Sequence, residues 1–226
     1  PLDFLGHIAG AADVLTYPAD IHAYLRAVAE ASPRVQVFSI GTTEEGREMI
    51  LAVVSSEENM ARLADYKGMM AQLADPRKMD DATAERLFRT AKPLYYATGA
   101  MHSGETGSPE MLMELVYRLA VEETPFIQSI RDNLIFMTTP VLEVDGRAKQ
   151  VDVAMAPRKD PDGNYPSRPL WWGKYVAHDD NRDGIGLSLA LTKNVNKTFH
   201  EYHPLVVHDL HESASHLLSL IHISEP

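Results

Sequence analysis

The stretch "PLYYATGAMHSGETGSPEMLMELVYRL", residues 93–119, decides how the chain is read. It opens on a short apolar run from Leu94 that ends at Gly99, which predicts a buried strand. A loop of small and polar residues follows. The chain then takes up helical spacing, with Ser108 expected as N-cap and Pro109 in the first turn. Met111, Leu112, Leu115, Val116 and Leu119 form the expected apolar stripe. Strand, loop and amphipathic helix in that order are the repeating unit of an α/β fold.

The same alternation extends in both directions. "DIHAYLRAVAEASP" (20–33) predicts a helix capped by Asp20, with Ile21, Tyr24, Leu25 and Val28 on its inner face. "VQVFSIG" (35–41) and "MILAVV" (49–54) predict strands around the polar turn "TTEEGRE" (42–48). Residues 56–90 predict two polar-faced helices broken at "DPR". "LIFMTTP" (134–140) and "PLVVHDL" (204–210) predict two further strands. Residues 143–186, rich in Pro, Gly, Asp and Trp, are expected to be mostly loop. The pattern implies one α/β domain with a mixed, mostly parallel sheet flanked by helices. A site is then expected at the carboxyl ends of the strands.

Composition narrows the function classes. The 226 residues carry a formal charge of −11, which argues against nucleic acid or an anionic membrane as main partner. No apolar run approaches the roughly 20 residues of a membrane span. There is no cysteine, so disulfides and thiol nucleophiles are excluded and any metal must be held by His, Asp and Glu. This composition suits either a cytoplasmic protein or an exported bacterial one. The chain begins at Pro1, which leaves a removed signal peptide and a truncated start both open.

Two expected strand ends carry metal-type residues. "MHSGETG" (101–107) places His102 and Glu105 in H-x-x-E spacing. "HDLHESASH" (208–216) supplies His211 after another strand. The second stretch resembles the helical H-E-x-x-H motif but fails it. His211 and His216 are five apart, about 500° of helical rotation, so their rings would diverge by roughly 140°. The alternative reading of H-x-x-E is a solvated surface pair. Two histidines and one glutamate, brought together from two loops, make a known catalytic zinc set with one position left for water.

"MHSGETGSPEMLMELVYRL" (101–119), "DNRDG" (180–184) and "VVHDLHES" (206–213), in that order, resemble the zinc metallocarboxypeptidase family, the carboxypeptidase A-like group. "SPRVQVFSIGTTEEGREMILAVVSS" (32–56) resembles its opening hairpin. The likeness runs from about residue 15 to residue 216. It implies a mixed eight-stranded sheet between helices, a bound Zn2+, and a peptide substrate with a free C-terminal carboxylate. It implies His102 and Glu105 as metal ligands and His211, rather than His208, as the third. It implies that Asn181 and Arg182 hold the substrate carboxylate. A surface ion pair of Arg182 with Asp179, Asp180 or Asp183 is the alternative. It also implies an arginine that polarises the scissile carbonyl; Arg158 is the candidate and Arg147 competes. The tryptophans Trp171 and Trp172 could line a cleft, but a buried or interface pair is the simpler reading. Relatives are often secreted or periplasmic.

The likeness is incomplete. Where relatives show Asn-Pro-Asp-Gly, this chain has "EVDG" (143–146). The family's catalytic glutamate lies on a strand well beyond the third ligand, and this chain has only fifteen residues after His211. Glu212 neighbours a ligand, but adjacent side chains on an extended segment point apart. The closing residues "LSLIHISEP" (218–226) read as the translation of a transposon-end sequencing adapter. The expectation is therefore a truncated catalytic domain over 1–217 with a non-native tail, inactive by itself. A zinc amidohydrolase acting on N-acyl amino acids and a non-catalytic zinc- or peptide-binding module are the alternative functions.

Overall fold

A computed structural model of the chain describes residues 1–12, 14–155 and 178–212. The elements are α1 (Leu2–Leu5), α2 (Pro18–Ala31), β1 (Val35–Thr42), β2 (Glu48–Val54), α3 (Glu57–Ala61), α4 (Leu63–Ala74), α5 (Asp81–Thr90), β3 (Leu94–Thr98), α6 (Gly107–Val121), α7 (Pro125–Asn133), β4 (Ile135–Thr139), α8 (Val144–Met155), α9 (Ala190–Tyr202) and β5 (Val206–Asp209). Short 3₁₀ turns cover Pro76–Lys78 and Asp180–Arg182.

The five strands form one sheet in the order β1-β2-β4-β3-β5. β1 pairs antiparallel with β2, and β2 antiparallel with β4. β3 runs parallel to both β4 and β5. Four of the five strands thus share one direction, and β2 opposes them. This is the mixed sheet flanked by helices that the alternation predicts, with two parallel and two antiparallel pairings among the described residues.

Period-2 alternation sorts the strand residues into two cores. Ile50, Ala52, Val54, Phe136 and Ala97 face α2 and α6. Leu51, Val53, Leu94, Tyr96, Ile135 and Met137 face the other layer, where α4 contributes Leu63, Tyr66 and Met70 and α9 contributes Tyr202. α2 buries Ile21, Tyr24, Leu25 and Val28, the face its spacing predicts. Its cap differs: Tyr17 is the N-cap, and Asp20 lies in the first turn.

Other local expectations are corrected. Ser108 lies inside α6, which starts at Gly107, and its buried hydroxyl accepts a hydrogen bond from Ala100 N–H (3.0 Å). The hydroxyl satisfies the loop before the helix rather than the helix end. Met111 is exposed; Leu112, Met113, Val116, Leu119 and Ala120 form the buried face. The 56–90 region holds three α-helices, because the chain also breaks at Arg62. Residues 144–155, expected as loop, are the helix α8.

The turn after β3 is tightly fitted. Gly99 N–H donates to Thr139 C=O (3.1 Å), and Gly99 C=O accepts from Leu142 N–H (2.9 Å). A Cβ at Gly99 would lie 2.8 Å from Pro140 O and 2.9 Å from Leu112 Cδ1. Gly99→Ala should therefore destabilise the fold by about 1–3 kcal/mol through overpacking. Urea melts would read this as a lower midpoint at unchanged slope.

Candidate metal centre

The carboxyl ends of β3, β4 and β5 converge on one rim. From β3 the chain passes Gly99 and Ala100 (φ 46°) into the loop carrying His102 and Glu105. Glu105 N–H donates to His102 C=O (2.9 Å), closing a tight turn. That turn makes H-x-x-E a local pair: His102 Nδ1 lies 2.8 Å from Glu105 Oε1.

β5 brings the third residue. Its ladder with β3 ends at Thr98 opposite Asp209, and Leu210 N–H still donates to Thr98 C=O (2.9 Å). His211 follows directly and turns back over the loop. Its Nδ1 lies 3.1 Å from Glu105 Oε2 and 3.4 Å from Oε1. The His102 and His211 rings are 5.0 Å apart between centroids. His102, Glu105 and His211 are all partly buried, and their donor atoms lie within 4.8 Å of one another. His208, the other histidine of this segment, points its Nδ1 at Tyr95 Oη (2.7 Å) and is not part of the group.

Both rings have the same orientation pattern. His102 Nε2 is anchored by Asp179 Oδ1 (3.1 Å), and His211 Nε2 by Asp209 Oδ2 (2.6 Å). Asp209 is itself held by the Thr98 hydroxyl, which donates to its Oδ1 (2.6 Å). A carboxylate on one ring nitrogen fixes the tautomer and leaves the other nitrogen's lone pair for a metal. Sequence reasoning missed both carboxylates. The Asp-x-His spacing of Asp209 and His211 was the available signal.

The donor set fits Zn2+. Two imidazole nitrogens and a carboxylate are borderline donors of the kind zinc accepts. Donors 2.0–2.1 Å from a tetrahedral ion are roughly 3.3 Å apart, close to the spacing between Glu105 and each histidine. Glu105 Oε2 is buried and has no hydrogen-bond partner among the described residues, although His211 Nδ1 is nearby. That arrangement is costly without a cation and natural with one. In the metal-free chain burial pushes the His102 imidazole down, but hydrogen bonds to Glu105 and Asp179 outweigh this and hold it above its ordinary value.

The residues expected to take a carboxylate sit beside this group. Asn181 and Arg182 lie in the 3₁₀ turn two and three residues after Asp179, and both side chains are exposed. The competing surface ion pair does not form: Arg182 pairs with no carboxylate among the described residues. Asp183 is occupied instead by His178 Nε2, the Ser188 hydroxyl, and the N–H groups of Ser188 and Leu189. Arg158, Trp171 and Trp172 lie outside the described residues, as do 213–226. Arg147 is fully buried and bound to Glu110 Oε1 (2.7 Å), Thr16 O and Thr106 O. It is withdrawn from the site surface and no longer competes as the carbonyl-polarising group.

The "EVDG" segment has a structural explanation. Asp145 is buried and accepts from the Thr43 hydroxyl (2.8 Å), Glu45 N–H (3.1 Å) and Arg47 (2.7 Å). It therefore locks the β1–β2 turn against the start of α8. Glu143 is buried, with no hydrogen-bond partner on either oxygen among the described residues. Burial, with Asp145 and Asp180 nearby, pushes its carboxyl up to about 8. Burial likewise pushes Asp180 up to about 7, against the pull of His102.

The family model for zinc carboxypeptidases matches residues 21–219. Comparison with curated proteins finds no match. Among solved structures, carboxypeptidase A from Helicoverpa armigera superposes with a TM-score of 0.59 at 16% identity, over 95% of this chain and 52% of that one. A metallo-carboxypeptidase from Burkholderia cenocepacia gives 0.57 at 17%, over 88% and 42%. The Pseudomonas aeruginosa metallo-carboxypeptidase in complex with (2-guanidinoethylmercapto)succinic acid gives 0.52 at 16%, over 85% and 39%. The chain thus spans about two fifths to a half of the length of these neighbours, and at such identities the likeness speaks for the fold. With the family match over most of its length, the chain belongs to the zinc carboxypeptidase family.

Proposed function

We propose that the chain is the metal- and carboxylate-binding part of a zinc-dependent metallocarboxypeptidase that removes C-terminal residues from peptides. His102, Glu105 and His211 hold the Zn2+. Asn181 and Arg182 hold the free C-terminal carboxylate of the substrate. The observation that carries this reading is the convergence of both Nδ1 atoms on Glu105 while both Nε2 atoms are tied to aspartates. The succinic acid compound held by the Pseudomonas aeruginosa neighbour is consistent with a carboxylate ligand for this architecture.

A bound Zn2+ supplies a Lewis acid for the scissile carbonyl and lowers the pKa of its water to about 7. The chain's residues supply the rest. The Arg182 guanidinium offers two parallel N–H donors that match a carboxylate. Arg158 is proposed to stabilise the developing oxyanion. Hydrolysis also needs a base for the water's proton. Three carboxylates near the cluster are engaged: Asp179 on His102, Asp209 on His211, and Glu212 on Gly107 N–H. This engagement favours a second reading for the chain in isolation, a zinc- and peptide-binding module with little turnover.

The test uses the zinc-loaded chain and one fluorescent peptide in acid and C-terminally amidated forms. The acid should bind at least about tenfold more tightly, the lower end of what hydrogen bonds to a charged group contribute. Arg182→Met should erase that preference. Equal binding of acid and amide would sink the carboxypeptidase reading. N-acyl amino acids in the same panel separate it from an amidohydrolase. Release of C-terminal amino acids at an enzymatic rate, stopped by a chelator, would discard the binding-module reading.

A further inference from the structure

We propose that Glu212 is a positioning residue that clips His211 onto the His102–Glu105 loop through the peptide group between Thr106 and Gly107. The inference rests on the zinc reading above and adds a residue to it.

The backbone alone does not hold His211 in place. Among the described residues its last backbone tie to the sheet is Leu210 N–H to Thr98 C=O. One residue beyond His211, Glu212 Oε1 accepts from Gly107 N–H at 2.6 Å. Gly107 is the first residue of α6, a helix of 15 residues whose N-cap, Thr106, makes no side-chain capping bond. Its N–H is one of the helix's orphan donors, and a carboxylate suits the positive end of the helix dipole. The cap therefore comes from a segment 105 residues away in sequence.

The other side of the same peptide unit is also gripped. Thr106 C=O accepts from Arg147 Nη1 at 3.1 Å. Arg147 is fully buried, is paired with Glu110, and feels the Glu212 charge. One peptide plane is thus held at its oxygen by Arg147 and at its N–H by Glu212. That plane begins one residue after Glu105, and Glu212 lies directly after His211. The clip fixes two members of the metal cluster to each other without touching either.

Gly107 is shaped for this contact. Its φ is not in the left-handed region, so backbone conformation does not demand glycine. What demands it is space: a Cβ there would lie 2.5 Å from Glu212 Oε1 and 3.6 Å from its Cδ. Any larger residue at 107 must push the Glu212 carboxylate away.

The test measures zinc affinity of the full chain by competition with a chromogenic chelator. Glu212→Ala and Gly107→Ala should each weaken zinc binding by about tenfold or more, the range carried by groups outside the ligand set. The double variant should be no weaker than the worse single, since both break one contact. Glu212→Gln, which keeps an oxygen acceptor, should recover part of the loss. The melting temperature of the metal-free chain should fall in Glu212→Ala by no more than the few degrees that one lost helix cap costs. Zinc affinity within twofold of the parent in Glu212→Ala, or additive losses in the double variant, would overturn the clip. Hydrogen exchange at the Gly107 amide gives a readout that needs no metal. It should be slow in the parent and fast in Glu212→Ala. If the parent binds no zinc, the zinc reading falls, and this exchange result alone upholds or overturns the clip.

Discussion

His211→Ala should abolish stoichiometric zinc binding by the chain, and so should His102→Ala and Glu105→Ala. Each substitution removes one of three donors from a cluster with no cysteine to substitute for it. A zinc site with two protein donors left loses more than the roughly 10–100-fold that an orienting partner carries. Asp209→Asn provides the graded control. Asparagine can still meet His211 Nε2 but cannot match a carboxylate at 2.6 Å, so affinity should fall within that 10–100-fold range. The same chelator competition measures all four variants. His102, Glu105 and His211 are only partly buried, so the variants should keep the circular dichroism of the parent. Unchanged binding in any of the three alanine variants removes that residue from the ligand set. A drop in Asp209→Asn as large as in His211→Ala would mean that Asp209 is itself a ligand.

The His102–Glu105 pair of the candidate cluster was legible from a local rule, whereas His211 was named through the family resemblance, because the β3–β5 pairing that brings it over is tertiary. H-x-x-E across a tight turn brings its two side chains together whatever surrounds them, and the apolar runs before it mark a strand end. α2 was legible for the same reason: four apolar residues at helical spacing are buried together. The unread parts depend on tertiary pairing. Asp209 lies only two residues from His211, a local spacing, but the Thr98 hydroxyl that holds its carboxylate comes from the β3–β5 register, which no local pattern gives. Asp179 meets His102 across 77 residues. α8 escaped because Arg147 occupies an inward position between Val144 and Val151, where a buried helix usually shows an apolar residue. Its charge is answered by Glu110 on α6, a partner the local sequence does not reveal. Ser108 looked like a cap, since serine caps helices by accepting from backbone N–H; it does accept one, but from Ala100 in the preceding loop.

Glu143→Gln should convert a pH-dependent loss of stability into a nearly flat profile for this site. In the folded, metal-free chain burial, then Asp145 and Asp180, push the Glu143 carboxyl up to about 8; the Gly146 backbone and Lys149 only partly offset them. In the unfolded chain it titrates near its ordinary 4.5. The folded state therefore binds the proton more tightly. Its contribution is fully present below about pH 4.5, declines as pH rises, and is lost by about pH 8. At about 1.36 kcal/mol per pH unit, the span amounts to on the order of 5 kcal/mol as an upper bound. Asp180 and His102 push stability the same way with pH, and the buried His22, pushed down to about 4, pushes it the other way. His102 and His22 persist in the variant, so the difference between variant and parent reports Glu143 together with its coupling to Asp180. Denaturant melts in chelator at pH 5 and pH 8.5 should show Glu143→Gln gaining several kcal/mol on the parent between the two. Parallel profiles would mean that Glu143 is charged in the fold. A neutral Glu143 at pH 7 also bears on the metal cluster. Its carboxyl sits 2.0 Å from where a Cβ on Gly146 would be, and the Ser103 hydroxyl sits 2.7 Å from that same point. Ser103 directly follows His102, so the Glu143 carboxyl lies beneath the turn that presents His102, and its charge state is felt beside the candidate ligand loop.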